Sequence, residues 1–224
     1  VLTANISGVN SLNVTNQSIA DLTGIEDFAS LSSLNCENNL LTNLDLSNCH
    51  NLDHLDANNN QLNNVQISNL IDSILNKINL THNQLDSLSF VGPNWDSLYI
   101  YTIDIRNNNF TNLDFRKFNF ENILCDSNEL SSVDLRNGYN TTIQGLYFYG
   151  NPDLGCISVD DTAYSNTNWV GDDFQFDPQV SFSDDCNALV AADPKTYVPD
   201  DNFEAYLEAN GMGDGIASND SVLT

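Results

Sequence analysis

The chain has 224 residues, enough for one large domain or two small ones, and 6 Lys+Arg against 31 Asp+Glu give it a formal net charge of -25. A field of that sign repels phosphate backbones and anionic membrane surfaces, which excludes nucleic acid as a partner, favours solubility and attracts divalent cations or cationic partners. No apolar run approaches the roughly 20 residues of a membrane span, and the five cysteines form no CxxC pair of the kind zinc sites use.

The chain opens on Val1, Leu2 and Thr3, with neither an initiator Met nor a signal peptide, and so reads as a mature or excised piece of something longer. From there a phrase of the form LxxLxLxxNxLxxLxL recurs. A degenerate first copy runs through Val9, Leu12, Val14, Gln17, Ile19 and Leu22. Full copies follow as Leu31-Leu34-Cys36-Asn39-Leu41-Leu44-Leu46, Leu52-Leu55-Ala57-Asn60-Leu62-Val65-Ile67 and Leu75-Ile78-Leu80-Asn83-Leu85-Leu88-Phe90. Two more are Ile100-Ile103-Ile105-Asn108-Phe110-Leu113-Phe115 and Phe120-Ile123-Cys125-Asn128-Leu130-Val133-Leu135, and a truncated last one is Ile143-Leu146-Phe148-Asn151-Leu154. About seven copies at a period of roughly 20–25 residues are the signature of a leucine-rich-repeat solenoid.

Each position in the phrase has a physical task. The LxxLxL part alternates in and out as a short strand does, so stacked copies predict a parallel sheet on the concave face and an irregular or extended convex side. The recurring Asn carries amide donors and an acceptor, and a ladder of them can satisfy the backbone groups that each turn leaves unpaired. Cys36 and Cys125 occupy a core leucine position and read as free core thiols, while Cys49 is left without an assigned partner. The second LxL, as in Leu44-Asp45-Leu46 or Val133-Asp134-Leu135, predicts another extended segment whose outward Asp residues form a solvated edge. The longer, less regular stretches 67–73 and 91–98 leave the curvature there open.

The repeats are expected to fill 1–155 and a C-terminal cap 156–186, with Trp169 as a lid on the last turn and a disulfide between Cys156 and Cys186. That bridge would close a loop of about 30 residues and stabilise the cap by roughly 3 kcal/mol or somewhat more. Residues 187–195 read as a linker. A short amphipathic helix is expected over 199–211, with an Asp201/Glu204 capping box, Gly211 as the stop and Phe203, Tyr206 and Leu207 on one face. The chain ends on Val222-Leu223-Thr224, the triplet with which it began. A cap spare at one end and wanting at the other predicts a tandem array with a period of about 221 residues, in which 196–224 is the N-terminal cap and start of a following module, packed head to tail.

Several phrases carry a family resemblance: Leu22-Thr23-Gly24-Ile25-Glu26-Asp27-Phe28, Leu31-Ser32-Ser33-Leu34-Asn35-Cys36, Leu44-Asp45-Leu46-Ser47-Asn48, Cys156-Ile157-Ser158-Val159-Asp160-Asp161 and Tyr197-Val198-Pro199-Asp200-Asp201-Asn202-Phe203-Glu204. The chain resembles the leucine-rich repeats of secreted Bacteroidetes surface proteins. The resemblance implies export, display on or release from the cell surface, and no catalytic residues. It also implies O-glycosylation at Asp-Ser/Thr followed by an apolar residue, which makes Ser73, Ser87, Ser97, Thr162 and Ser221 candidate glycan sites.

Outward strand positions are small and polar on the early repeats (Ser11, Asn13, Ser33, Asn35, Asp53, His54, Asp56) and change to Tyr101, Arg106, Leu124, Tyr147 and Tyr149 on the later ones. An aromatic patch beside an Arg on so polar a surface marks a candidate glycan- or protein-binding site. The competing reading has the loop 160–186 folding back over it. The acidic pairs Asp160/Asp161, Asp172/Asp173 and Asp184/Asp185 are weak Ca²⁺ candidates ranked behind plain solvation. His50, His54 and His82 lie in different turns, and no GxSxG, HExxH, P-loop or dinucleotide fingerprint is present, so the chain reads as a non-enzyme without cofactor. Its expected role is a structural and adhesive repeat of a surface or extracellular filament, with a glycan- or protein-binding module as the alternative.

Overall fold

The computed structural model describes residues 6–68, 74–91, 98–186, 195–197 and 221–223. The chain divides into two compact units, Val1–Asp184 and Asp185–Thr224.

The first unit is a parallel-strand β-solenoid. One strand per turn builds an eight-stranded sheet, in the order β1 (Ser11–Asn13), β2 (Ser33–Asn35), β4 (His54–Asp56), β6 (Ile74–Asn79), β8 (Leu98–Asp104), β10 (Phe118–Leu124), β12 (Gly145–Tyr147) and β14 (Phe174–Gln175). The register aligns Leu12, Leu34, Leu55, Ile78, Ile103, Ile123, Leu146 and Phe174 in a single inward column. Those from Leu34 to Leu146 are fully buried, so the aliphatic repeat forms one continuous core.

The second LxL of each turn forms its own parallel sheets. The first joins β3 (Asn43–Leu46), β5 (Asn64–Ser68) and β7 (Ser89–Val91), and the second joins β9 (Asn112–Asp114), β11 (Ser132–Asp134), β13 (Cys156–Ser158) and β15 (Ser181–Ser183). The convex side is thus extended, as the alternation in Leu44-Asp45-Leu46 predicts. Between β7 and β9 the ladder is interrupted. The Asn109 N–H still reaches the Leu85 carbonyl at 2.8 Å, but the two turns part beyond it. Phe90 and Phe118 pack there with ring centroids 4.8 Å apart.

The Asn ladder spans six turns. Each amide donates to the carbonyl three residues back in its own turn and to its counterpart in the previous turn. Asn128, for example, donates to Cys125 at 3.0 Å and to Ile105 at 3.1 Å. Its Oδ1 accepts the Phe110 N–H at 3.1 Å. Asn39, Asn60, Asn83, Asn108 and Asn151 repeat the pattern. The residue just before each of these Asn is left-handed. Asn38, Asn59, His82, Asn107 and Ser127 have φ of 52 to 57°, and Gly150 has 79°. This backbone requirement gives His82 a conformational role, since short polar side chains, His and Gly tolerate positive φ better than others.

The segment 156–186 caps the solenoid as an atypical further turn, since β14 extends the long sheet and β15 the second wall. A seven-residue helix, α1 (Thr162–Asn168), lies between β13 and β14 in the chain, and Asp161 caps it by accepting the Tyr164 N–H at 2.9 Å. Trp169 is buried, stacked on Phe174 (6.2 Å) and edge-on to Phe182 (5.3 Å). Cys156 and Cys186 form a disulfide. Cys36, Cys49 and Cys125 are buried free thiols.

In the second unit β16 (Lys195–Tyr197) pairs antiparallel with β17 (Ser221–Leu223), with Thr196 opposite Val222. Lys195, expected at the end of a linker, is the first residue of that strand. The helix expected over 199–211 lies outside the described residues.

Candidate functional site

The outward face of the long sheet places the candidate binding residues in rows. Asp104, Leu124, Tyr147 and Gln175 are successive partners across β8, β10, β12 and β14. Two residues further along each chain, Arg106, Asp126, Tyr149 and Asp177 make the next row, tied by Asn107 N–H to Asp126 and Ser127 N–H to Tyr149. Neighbours within a row are ~4.8 Å apart and the rows ~7 Å apart, so Arg106, Leu124, Tyr147 and Tyr149 form one patch. Tyr149 is 62% exposed and Tyr147 half-buried.

Tyr101 is not part of this patch. It lies across from Glu121 and, one strand on, Gln144. That position is five residues, ~17 Å, up the strand from Tyr149. Tyr101 shares its neighbourhood with Tyr99 and Glu121. The repeat alignment already sets Tyr101, which follows Ile100, at another position from Tyr147 and Tyr149, which flank Phe148; the ~17 Å between them is what the strand geometry adds.

The loop 160–186 does not fold over the patch. It extends the sheet beside it, and Tyr147 donates its hydroxyl to Asp173 Oδ1 at 3.3 Å. Burial and the adjacent Asp173 carboxylate push the Tyr147 phenol up. Asp126 accepts the Tyr149 N–H at 2.9 Å, and burial nonetheless pushes its carboxyl up.

Arg106 is held by its own strand. Its Nε and Nη2 reach Asp104 Oδ1 and Oδ2 at 2.9 and 2.6 Å, which raises its pKa further. The same fork recurs on the second wall at Asp114–Arg116 (2.9 and 2.7 Å) and Asp134–Arg136 (2.9 and 2.6 Å). The chain has three arginines, and each closes on the Asp two residues before it. The Asp-x-Arg spacing was visible in the sequence, but its meaning needed the turn geometry that brings the two side chains side by side.

The acidic pairs of the cap are dispersed. Asp160 accepts the Gly138 N–H at 2.8 Å, Asp161 caps α1, Asp173 takes the Tyr147 hydroxyl, and the Asp172 carbonyl takes Gln175. Among the described residues no group of three or more His, Cys, Asp or Glu is gathered for a metal. His54 pairs with Asp53 at 2.8 Å, in a different turn from the left-handed His82. The core thiols are unreactive. Burial pushes Cys36 up to about 12 and Cys49 to about 11, and drives Cys125 well above the ordinary value.

Of the candidate glycan acceptors, Ser87 is exposed and donates to Asp86 at 2.8 Å. Thr162 is the first residue of α1, and its hydroxyl oxygen is buried, which blocks attachment without local opening. Ser221 lies in β17, and Ser73 and Ser97 lie outside the described residues.

Two apolar concavities lie elsewhere. One, of about 390 Å³, fills the break between β7 and β9 and is lined by Leu88, Phe90, Phe110, Leu113, Phe115 and Phe118. The other, of about 590 Å³, lies at the first turn among Leu12, Val14, Ile19, Leu22 and Phe28, all only partly buried. The sequence marks the first only by the irregular stretch 91–98 that follows β7, and the second lies at the degenerate first copy of the repeat phrase.

No protein-family model matches this chain, and no curated protein does. Among the solved structures that are similar is the functional domain of InlJ from Listeria monocytogenes, which includes a cysteine ladder. The identity is 17% and the TM-score 0.36, over 80% of this chain and 63% of that one. The chain therefore spans less than two thirds of that structure's length. No described helix is long and apolar enough to cross a membrane.

Proposed function

We propose that this chain is a non-enzymatic structural and adhesive module of a secreted bacterial surface protein, and that such modules pack head to tail. The coarse part of this reading is a leucine-rich-repeat-type solenoid serving as an interaction module. The observation that carries the finer part is the contrast between the ends of the first unit. The far end is closed by Trp169, the disulfide and β15, while at the first turn Leu12, Val14, Ile19, Leu22 and Phe28 stay half-buried around an open groove. A solenoid end in that state needs a cover. The cover proposed is the 196–224 segment of a preceding copy, whose sequence carries Phe203, Tyr206 and Leu207 at helical spacing and ends on the Val-Leu-Thr triplet that opens the chain. The disulfide fits an oxidising, extracellular compartment, and the resemblance to Bacteroidetes surface repeats supports display on the outer cell surface.

Sedimentation of the purified chain across about 10 μM to 1 mM tests this, because end-to-end contacts of this size span that affinity range. The chain should associate into open-ended oligomers, and Phe28→Glu and Tyr206→Glu should each return it to a monomer. A wild-type chain that stays monomeric, or association that survives Phe28→Glu, refutes the reading. A second reading, in which the module binds a ligand on its long sheet, is favoured by the gathering of Leu124, Tyr147 and Tyr149 into one exposed patch.

A further inference from the structure

We infer that the Tyr147–Tyr149 patch is a binding site for an uncharged saccharide chain. The inference rests on the second reading above, that the patch takes a ligand, and is independent of head-to-tail packing.

The patch is a shelf with two aromatic rings on it. Tyr147 and Tyr149 leave the same side of the sheet ~7 Å apart along one chain, with Leu124 beside Tyr147 at ~4.8 Å. Next to Tyr147 the sheet is bare, because residue 145 is glycine. A Cβ there would lie 2.8 Å from Asn122 Oδ1 and 3.0 Å from the Tyr147 ring. Tyr147 can therefore lie over the sheet at that point, and a side chain would displace it. Rings presented in this way bury the C–H face of a sugar while leaving its hydroxyls free at the rim.

The rim supplies acceptors. Asp126 takes the Tyr149 N–H, Asp173 the Tyr147 hydroxyl and Asp177 the Asn151 N–H at 2.7 Å. One bond fixes each carboxyl group in place, and a carboxylate has about four acceptor sites, so lone pairs remain for incoming hydroxyl donors. Gln175 adds an amide in the same row.

Charge selects among ligands. The guanidinium of Arg106, the cation of the patch, is forked onto Asp104 through Nε and Nη2, which offsets its charge toward a sulfate, phosphate or uronate. Asp126, Asp173 and Asp177 repel such groups, as does the net charge of -25. A basic peptide finds Asp104 already paired with Arg106 but is drawn by the remaining carboxylates, so polylysine is the comparator that decides against it. An uncharged polyol with an apolar face matches both the rings and the rim.

Affinity gel electrophoresis of the full chain tests this, with soluble dextran, α-mannan, β-glucan and galactomannan as probes, and dextran sulfate and polylysine as charged comparators. At least one neutral polymer should retard the chain. Tyr149→Ala and Tyr147→Ala should each weaken that retardation by about tenfold or more, as loss of a central contact residue does. Tyr101→Ala, ~17 Å away, should change it less than about twofold. Because Tyr149 is 62% exposed, its variant should keep the wild-type urea midpoint, which separates loss of contact from loss of fold. Retardation only by dextran sulfate or polylysine, removed by Tyr149→Ala, would leave a ligand patch but overturn the saccharide assignment. No Tyr149-dependent retardation by any probe would overturn the assignment and the ligand reading together.

Discussion

Removing one rung of the Asn ladder should cost far more than an ordinary polar substitution. Asn128 is buried, and its amide satisfies the Ile105 and Cys125 carbonyls and the Phe110 N–H. Asn128→Ala leaves all three backbone groups without that partner, in a turn closed to water on the core side. At ~1–1.5 kcal/mol per group the loss is about 3–5 kcal/mol, a large part of the ~5–15 kcal/mol that holds a typical domain folded. Asn128→Asp keeps the shape and the acceptor but loses the donors and adds a buried charge. It should be at least as damaging at pH 7 and partly recover near pH 4, where a protonated carboxyl can donate again. Asn109, exposed and next to the ladder residue Asn108 of the preceding turn, provides the control, and Asn109→Ala should shift stability by less than about 0.5 kcal/mol. Urea unfolding followed by circular dichroism reads all three variants. An Asn128→Ala loss under about 1 kcal/mol would show that the ladder is decoration and that packing alone holds the turns.

Other outcomes follow from the same structure. Ser127→Gly should stabilise the chain by about 0.5–1 kcal/mol by relieving a left-handed non-glycine residue, whereas Gly150→Ala, with φ of 79° and a Cβ 3.3 Å from Ser127 N, should destabilise it; thermal melts of the pair check both signs. Reducing Cys156–Cys186, or replacing both cysteines with Ser, should lower stability by about 3–4 kcal/mol for a loop of about 30 residues, read as a fall in urea midpoint. The Arg116 fork holds the Asp114 carboxyl below its usual range, and at Asp134 the Arg136 and Arg116 guanidiniums outweigh the upward push of burial. Both contributions are present above the unfolded carboxylate range, near pH 4, and are lost as pH falls through the lower folded values. The fall in urea midpoint between pH 4 and 2 should shrink in Arg136→Gln; an unchanged slope would remove the fork from the account.

The period of the aliphatic residues determined the solenoid by itself. A spacing that places Leu34, Leu55, Ile78, Ile103 and Ile123 at one phase has a single way to bury them all, which is to stack the turns in register. The Asn ladder was legible on the same ground, because an amide recurring in every turn has the turn's unpaired backbone groups to satisfy, and the cap disulfide because Cys156 and Cys186 bracket the segment after the last repeat. What the sequence left undecided is whatever depends on distance between phases. Tyr101 and Tyr149 both fall on outward positions of the alternation, yet five residues of strand separate them. Arg106 reads as a free cation until the turn folds it onto Asp104. The seven residues of α1 are mostly polar and carry no apolar period, and the packing of Tyr164 and Trp169 on the core adds to the Asp161 cap in holding them as a helix. The break between β7 and β9 is likewise tertiary: the sequence shows only that 91–98 is longer and less regular, and the structure gathers Phe90, Phe115 and Phe118 around the gap between the two sheets.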